Sequence, residues 1–242
     1  MPERTLEEMR AAYETLEKRI SAACEQSNRP RESVKLIWVS KFHPIESVKI
    51  AEELGATDFG ENRVQEAVEK FTVREPNIHC HVIGPVQSNK LKKAALVADC
   101  IHSIASMEAV EKLEKVCAEA NKSLDIFFQV NAGEEKTKSG LEIHEAESFL
   151  LSLENHVPCP YLRYRGLMTI GKNTGVAEDS RECFAFLRTL QQKMLARGGI
   201  FKDFDQLSMG MTGDLEVAIE EGATMIRVGT ALFGERDYGQ KL

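Results

Sequence analysis

Eight short apolar stretches, each separated from the next by a helical pattern, constrain this chain more than any other feature of it. The strand candidates are Leu36–Ser40, Thr57–Glu61, His79–Gly84, Cys100–Ile104, Asp125–Asn131, Tyr164–Ile170, Gln206–Gly210 and Met225–Phe233. Between them, helical spacing covers Ile45–Leu54, Val64–Phe71, Ser88–Ala98, Met107–Ala120, Ile143–Glu154, Asp179–Ala196 and Asp214–Glu221. Several strand candidates are continuous apolar runs without alternation, as expected when both faces of a sheet are covered. A repeated strand–helix unit implies parallel strands joined by right-handed crossovers. Eight units favour closure into a barrel over an open doubly wound sheet. No G-x-G-x-x-G follows the first strand to support the dinucleotide version of that open sheet.

Ahead of the repeat, Thr5–Gln26 carries Leu6, Met9, Tyr13, Leu16 and Ile20 at spacings of three and four, one apolar stripe on a charged helix. Asn28-Arg29-Pro30 stops it. The expected fold is α/β: residues 1–242 as a single (β/α)8 TIM-barrel domain, with 5–26 an additional N-terminal helix packed on the outside. A chain of this length buries about 70–75% of its unfolded surface and needs no disulfide or metal as a folding support. The six cysteines show no C-x-x-C spacing and read as reduced thiols. His79-Cys80-His81 lacks further ligands at metal spacing and reads as strand residues, with no metal site expected.

The formal net charge of −7 argues against a general affinity for nucleic acid or an anionic membrane, while leaving room for a small basic pocket. No signal-type leader opens the chain and no apolar run approaches the ~20 residues of a membrane span, so a cytoplasmic protein is expected.

Parallel barrels place function at the carboxyl ends of their strands. Lys41 directly follows Leu36-Ile37-Trp38-Val39-Ser40, so its stem leaves a buried strand while its amine reaches the barrel mouth. Desolvation favours the neutral amine that a Schiff base with an aldehyde requires, although a lysine that merely snorkels at a strand end has the same position. The last two strands add an anion cradle. Ser208-Met209-Gly210-Met211-Thr212-Gly213 offers hydroxyls, approachable backbone and a helix start, and Gly229-Thr230 adds backbone N–H and a hydroxyl. Arg227 sits in the apolar run Met225-Ile226-Arg227-Val228, where an unpaired guanidinium is costly. Either a phosphate or one of Glu216, Glu220 and Glu221 must satisfy it. In a closed barrel, the first strand and the last two are neighbours.

These residues resemble those of the pyridoxal-phosphate homeostasis protein family, relatives of the alanine racemase barrel domain. The resemblance runs from about Leu36 to Tyr238. It is carried by Val39-Ser40-Lys41, by Phe59-Gly60-Glu61-Asn62-Arg63-Val64-Gln65-Glu66 and by His81-Val82-Ile83-Gly84-Pro85-Val86-Gln87-Ser88-Asn89-Lys90. It continues through Gln129-Val130-Asn131, Lys138-Ser139-Gly140, Arg165-Gly166-Leu167-Met168-Thr169-Ile170, Leu207-Ser208-Met209-Gly210-Met211 and Arg227-Val228-Gly229-Thr230-Ala231-Leu232-Phe233-Gly234. Pro85 and Thr212 are two small departures from the pattern. The resemblance implies pyridoxal 5′-phosphate (PLP) as cofactor, Lys41 as the Schiff-base lysine, and Ser208, Arg227, Gly229 and Thr230 as phosphate contacts. Asn62 becomes a ring-side neighbour, with Met168 or Met209 near the ring and Gly210 in the cradle; Lys138 is a weaker candidate for a secondary cofactor contact. It also implies a monomer or weak dimer, with apo forms of PLP-dependent enzymes as candidate recipients.

Binding PLP does not make an enzyme. Two-base racemisation needs a second proton donor on the far face of the substrate carbon, a tyrosine in relatives of this fold, held by an additional β domain in alanine racemase. The chain ends nine residues beyond Phe233, and Tyr13, Tyr161, Tyr164 and Tyr238 do not lie at carboxyl ends of strands. A non-catalytic PLP carrier is therefore expected, with an amino-acid racemase or related enzyme using Lys41 as base the alternative.

Overall fold

A computed structural model describes residues 4–133, 139–156 and 160–234. Its strands are β1 (Lys35–Val39), β2 (Asp58–Glu61), β3 (His79–Val82), β4 (Cys100–Ile104), β5 (Leu124–Asn131), β6 (Leu141–Glu142), β7 (Leu162–Met168), β8 (Gln206–Ser208) and β9 (Met225–Val228). β1 pairs in parallel with both β2 and β9, and β4 pairs with β5, so eight of these strands close into a parallel barrel in the order β1-β2-β3-β4-β5-β7-β8-β9. The short β6 adds to β5 outside the ring. This is the (β/α)8 architecture that the strand–helix rhythm predicts.

The helices are α1 (Leu6–Gln26), α2 (Ile45–Glu53), α3 (Val64–Phe71), α4 (Leu91–Val97), α5 (Met107–Ala120), α6 (Ala146–Ser152), α7 (Arg181–Leu195), α8 (Leu215–Glu220) and α9 (Thr230–Phe233). α1 starts in a capping box, the Thr5 side chain accepting from the Glu8 N–H while the Glu8 carboxylate accepts from the Thr5 N–H. Its buried stripe of Met9, Leu16 and Ile20 lies on the outside of the barrel, where Tyr13 stands 5.1 Å from the Trp38 ring.

Two bodies of buried residues result. The larger lies between the strands and the helix ring and includes Phe59, Phe71, Phe128, Phe184, Phe201 and Phe204; burying each ring stabilises the fold by about 1.5–3 kcal/mol. The smaller fills the barrel itself, where Cys100, Phe127 and Met168 pack together. His102 stacks on Phe127 at 4.5 Å inside the same lumen.

Several expected boundaries shift. The run Met225–Phe233 is not one strand: β9 stops at Val228, Gly229 turns the chain, and Thr230–Phe233 forms α9. Leu232 and Phe233 are apolar because α9 packs inward, Phe233 reaching the Trp38 ring edge at 6.1 Å. β8 ends at Ser208, not Gly210, because Gly210 takes φ +93° and leaves the extended region. β3 ends at Val82, short of Gly84, and β7 runs Leu162–Met168 where Tyr164–Ile170 is expected. The helix expected over Ile143–Glu154 starts at Ala146, because Leu141 and Glu142 are paired with β5. In the segments expected as Asp179–Ala196 and Ser88–Ala98, single 3-10 turns precede α7 and α4.

Candidate functional site

A cavity of about 540 Å³ opens at the carboxyl ends of the strands, within the range of small-molecule sites. Lys41, Asn62, Met168, Arg227, Gly229 and Thr230 line it, drawn from the ends of β1, β2, β7 and β9. Ser208, Met209 and Gly210 do not line it; Ser208 and Met209 are fully buried. The reason is the turn at Gly210, where a Cβ would come 2.5 Å from the Ala218 Cβ. That turn lifts Met211, Thr212, Gly213 and Asp214 to the wall in place of the three preceding residues. Lys138 lies outside the described residues.

The Lys41 loop is held from β2 and α3. Ser40, just past β1, donates its hydroxyl to Glu61 Oε1 at 2.7 Å. Lys70 Nζ donates both to Glu61 Oε1 at 2.7 Å and to the Ser40 carbonyl at 2.9 Å. Phe42, at φ +66°, gives its backbone N–H to Glu66 Oε2 at 2.8 Å, and the Arg63 guanidinium lies 4.9 Å from its ring. Holding a phenylalanine in the left-handed region costs roughly 1–3 kcal/mol, and these contacts over-determine it. Burial raises the Glu61 carboxyl above its ordinary value, and Lys70 opposes that shift.

The opposite wall comes from the loops after β7 and β8. Asp214 Oδ1 accepts from the Met211 N–H at 2.7 Å, closing the turn Met211–Asp214. Ser180 Oγ accepts from the Lys172 N–H at 3.0 Å, and a Cβ on Gly171 would strike both Asp214 and Ser180 at 2.4 Å. Arg19 of α1 donates to the Thr212 carbonyl at 2.9 Å and pairs with Glu216 at 2.7 Å, so the leading helix buttresses this loop.

Arg227 forms part of the floor. Its Nη1 donates to Ser208 Oγ and its Nη2 to the Thr169 carbonyl, both at 2.8 Å. The three glutamates considered as partners are engaged elsewhere, Glu216 with Arg19, Glu220 with Arg181, and Glu221 with Arg181 and Arg188. Among the described residues no carboxylate pairs with Arg227. Burial pushes its guanidinium down to about 10, with the more distant Asp214 acting in the other direction. It therefore stays charged at neutral pH, and among the described residues Lys41, Lys172 and Arg227 are the basic side chains lining the cavity and Asp214 the carboxylate.

A feature invisible to strand-by-strand reading lies beneath this floor. Asp58, His81, His102 and Ser208, from β2, β3, β4 and β8, form a continuous buried hydrogen-bond chain. Cys100 joins the two imidazoles in a group whose donor atoms lie within 4.8 Å of one another. His79, by contrast, is exposed at the start of β3.

The model of the alanine racemase N-terminal domain matches residues 13–237 of the chain. A pyridoxal phosphate homeostasis protein of Vibrio alginolyticus is 42% identical over 88% of this chain and 91% of its own length. That of Escherichia coli K12 is 34% identical over 92% and 94%. Among solved structures, PipY of Synechococcus elongatus with PLP bound superposes with a TM-score of 0.76 at 34% identity, covering 90% of this chain and 99% of its own. Alanine racemase of Clostridium difficile shares the barrel at TM-score 0.73, with 14% identity over 97% of this chain and 58% of its own. On the extent of these matches, the chain belongs to the pyridoxal phosphate homeostasis proteins, a family built on the alanine racemase N-terminal barrel.

Proposed function

We propose that the cavity holds PLP, that Lys41 is the amine to which it attaches, and that the protein stores and hands over the cofactor in vitamin B6 homeostasis without a reaction of its own. The observation that carries this reading is Arg227, a buried cation with no carboxylate partner among the described residues, in one cavity with Lys41. A phosphate ester supplies the missing anion and accepts from several donors at once. When bound, PLP supplies an electrophilic aldehyde that condenses with an amine to a Schiff base.

The residues present fit the group. The turn Met211–Asp214 and the backbone of Gly229 and Thr230 would hold the phosphate above the positive charge of Arg227. Gly229 allows the close approach: a Cβ there would lie 3.0 Å from the carbonyl oxygen of Val39, the last residue of β1 and two positions before Lys41. Asn62 and Met168 would border the ring. Ser208, Met209 and Gly210 would act from behind, by shaping the floor. PipY, the relative with PLP bound, supports the cofactor, and the homeostasis proteins named above support the role.

The carrier reading over the racemase reading is supported by the tyrosines. Tyr13 packs on Trp38, Tyr161 precedes β7, and Tyr164 is buried beside Phe128 at 5.4 Å, so none of these described phenols lines the cavity. Borohydride reduction of the PLP-treated protein with mass mapping of the modified peptide tests the attachment; an adduct on any other residue overturns it. Incubation with L-amino acids followed by chiral chromatography tests the role. Turnover well above that of free PLP would replace the carrier with an enzyme.

A further inference from the structure

We propose that Asp58, His81 and His102 form a proton-ordered relay across the barrel interior that fixes Ser208 as the acceptor for Arg227. The two histidines are then positioning residues for the anion site. The proposal rests on the PLP reading only for what Arg227 serves.

The relay rises from the amino-terminal rim of the barrel to the cavity floor. Asp58 Oδ1 accepts a hydrogen bond from Lys35 Nζ at 2.8 Å and lies 2.9 Å from His81 Nε2. His81 Nδ1 lies 3.0 Å from His102 Nε2, and His102 Nδ1 lies 2.9 Å from Ser208 Oγ, which accepts from Arg227 at 2.8 Å. Asp58 is held well below the usual carboxylate range against its burial by His81 and Lys35, so it only accepts. His81 Nε2 therefore carries a proton. The direction of the remaining links is decided at the other end.

Arg227 can only donate, and among the described residues Ser208 Oγ meets Arg227 and His102 alone. If His102 donated to Ser208, the buried hydroxyl proton would have no acceptor, a penalty that folded proteins avoid. Ser208 must donate to His102 Nδ1, His102 Nε2–H to His81 Nδ1, and His81 Nε2–H to Asp58. Every proton then has one acceptor, and the aligned dipoles connect the Arg227 cation to the Asp58 carboxylate through two neutral rings. The surroundings agree with neutrality: Phe127 stacks on His102, Cys100 lies beside both rings, and Lys35 and Arg227 are the charges facing them besides Asp58. The proton between the facing nitrogens occupies the position that a metal bound by His81, Cys100 and His102 would need.

Nitrogen-15 spectra of histidine-labelled protein, recorded with and without PLP near neutral pH, read the tautomers directly. We expect His81 and His102 both protonated at Nε2 and bare at Nδ1 in both samples. A doubly protonated ring, an Nδ1–H tautomer at either position, or stoichiometric zinc in the purified protein overturns the relay. A sample that takes up no PLP overturns the cofactor reading, while its tautomers still decide this one. As a second arm, His102→Gln keeps a donor and an acceptor and should hold PLP within about threefold of the native protein, whereas His102→Leu should weaken it by about tenfold or more. Equal affinities for the two variants overturn the positioning role.

Discussion

Glu61 is fully buried, and one of its carboxylate oxygens serves both Ser40 and Lys70, whose side chain is 8% exposed. Removing the cation alone leaves a buried carboxylate with a hydroxyl as its nearest donor. Lys70→Met should therefore destabilise the fold by about 3–5 kcal/mol, measured by chemical denaturation. Adding Glu61→Gln to it should restore part of that loss, because the buried charge is then gone; a double variant no better than the single one would refute this account. Arg227→Gln acts at the cavity floor. It removes the floor cation but not Lys41, so PLP retention in equilibrium dialysis should fall by about 10–100-fold while covalent attachment at saturating PLP persists. Unchanged retention would mean that the cofactor phosphate does not depend on this charge.

At the scale of elements, α1 has a task that its outward position conceals. Arg19 joins it to the Thr212 carbonyl and to Glu216 of α8, and Arg4 donates to the Ala231 and Leu232 carbonyls of α9. The helix thus clamps the two elements whose loops form the anion cradle. Arg19→Met should weaken PLP retention by about threefold to tenfold, with a change in Tm of only a few degrees because the ion pair is half-exposed. A loss of stability with no change in retention would contradict the buttress. Much of this organisation is legible in the sequence, because Val64–Phe71 and Met107–Ala120 have the periodicity of helices and emerge as helices with those limits. The boundary at Gly229 is not legible. Val228 and Leu232 are both apolar for burial, one from a strand and one from a helix, and a short apolar run does not distinguish the two. Ser208, Met209 and Gly210 mislead for a related reason: their place after a strand suggests the mouth, but the positive φ of Gly210 turns the chain one step later.

For the molecule as a whole, the hidden part of the design is the polar interior of the barrel. His81 and His102 stand 21 positions apart in sequence; the pairing of β3 with β4 places them 3.0 Å from each other, and closure of the ring connects them to Ser208 on β8. This interior carries a thermodynamic signature. Burial, reinforced by His81, Arg227 and Lys35, holds the His102 imidazole well below its ordinary 6.5. Below that pH the unfolded chain binds a proton that the folded barrel refuses, so stability falls as the solution is acidified, by up to about 1.4 kcal/mol per pH unit. The Asp58 carboxyl, depressed by its partners, adds a loss in the same direction only below its ordinary 3.8. In the interval between those two pH values Glu61, raised by burial, acts in the opposite direction, and glutamates such as Glu8 and Glu108 begin their own loss near their ordinary 4.5. The histidine is therefore read from the difference between the native protein and a His102 variant. Denaturant titrations across that interval should show a clear decline for the native protein and a flatter profile for His102→Gln. Parallel profiles would mean that the ring takes up its proton inside the folded barrel, and the order of the buried chain would have to be drawn again.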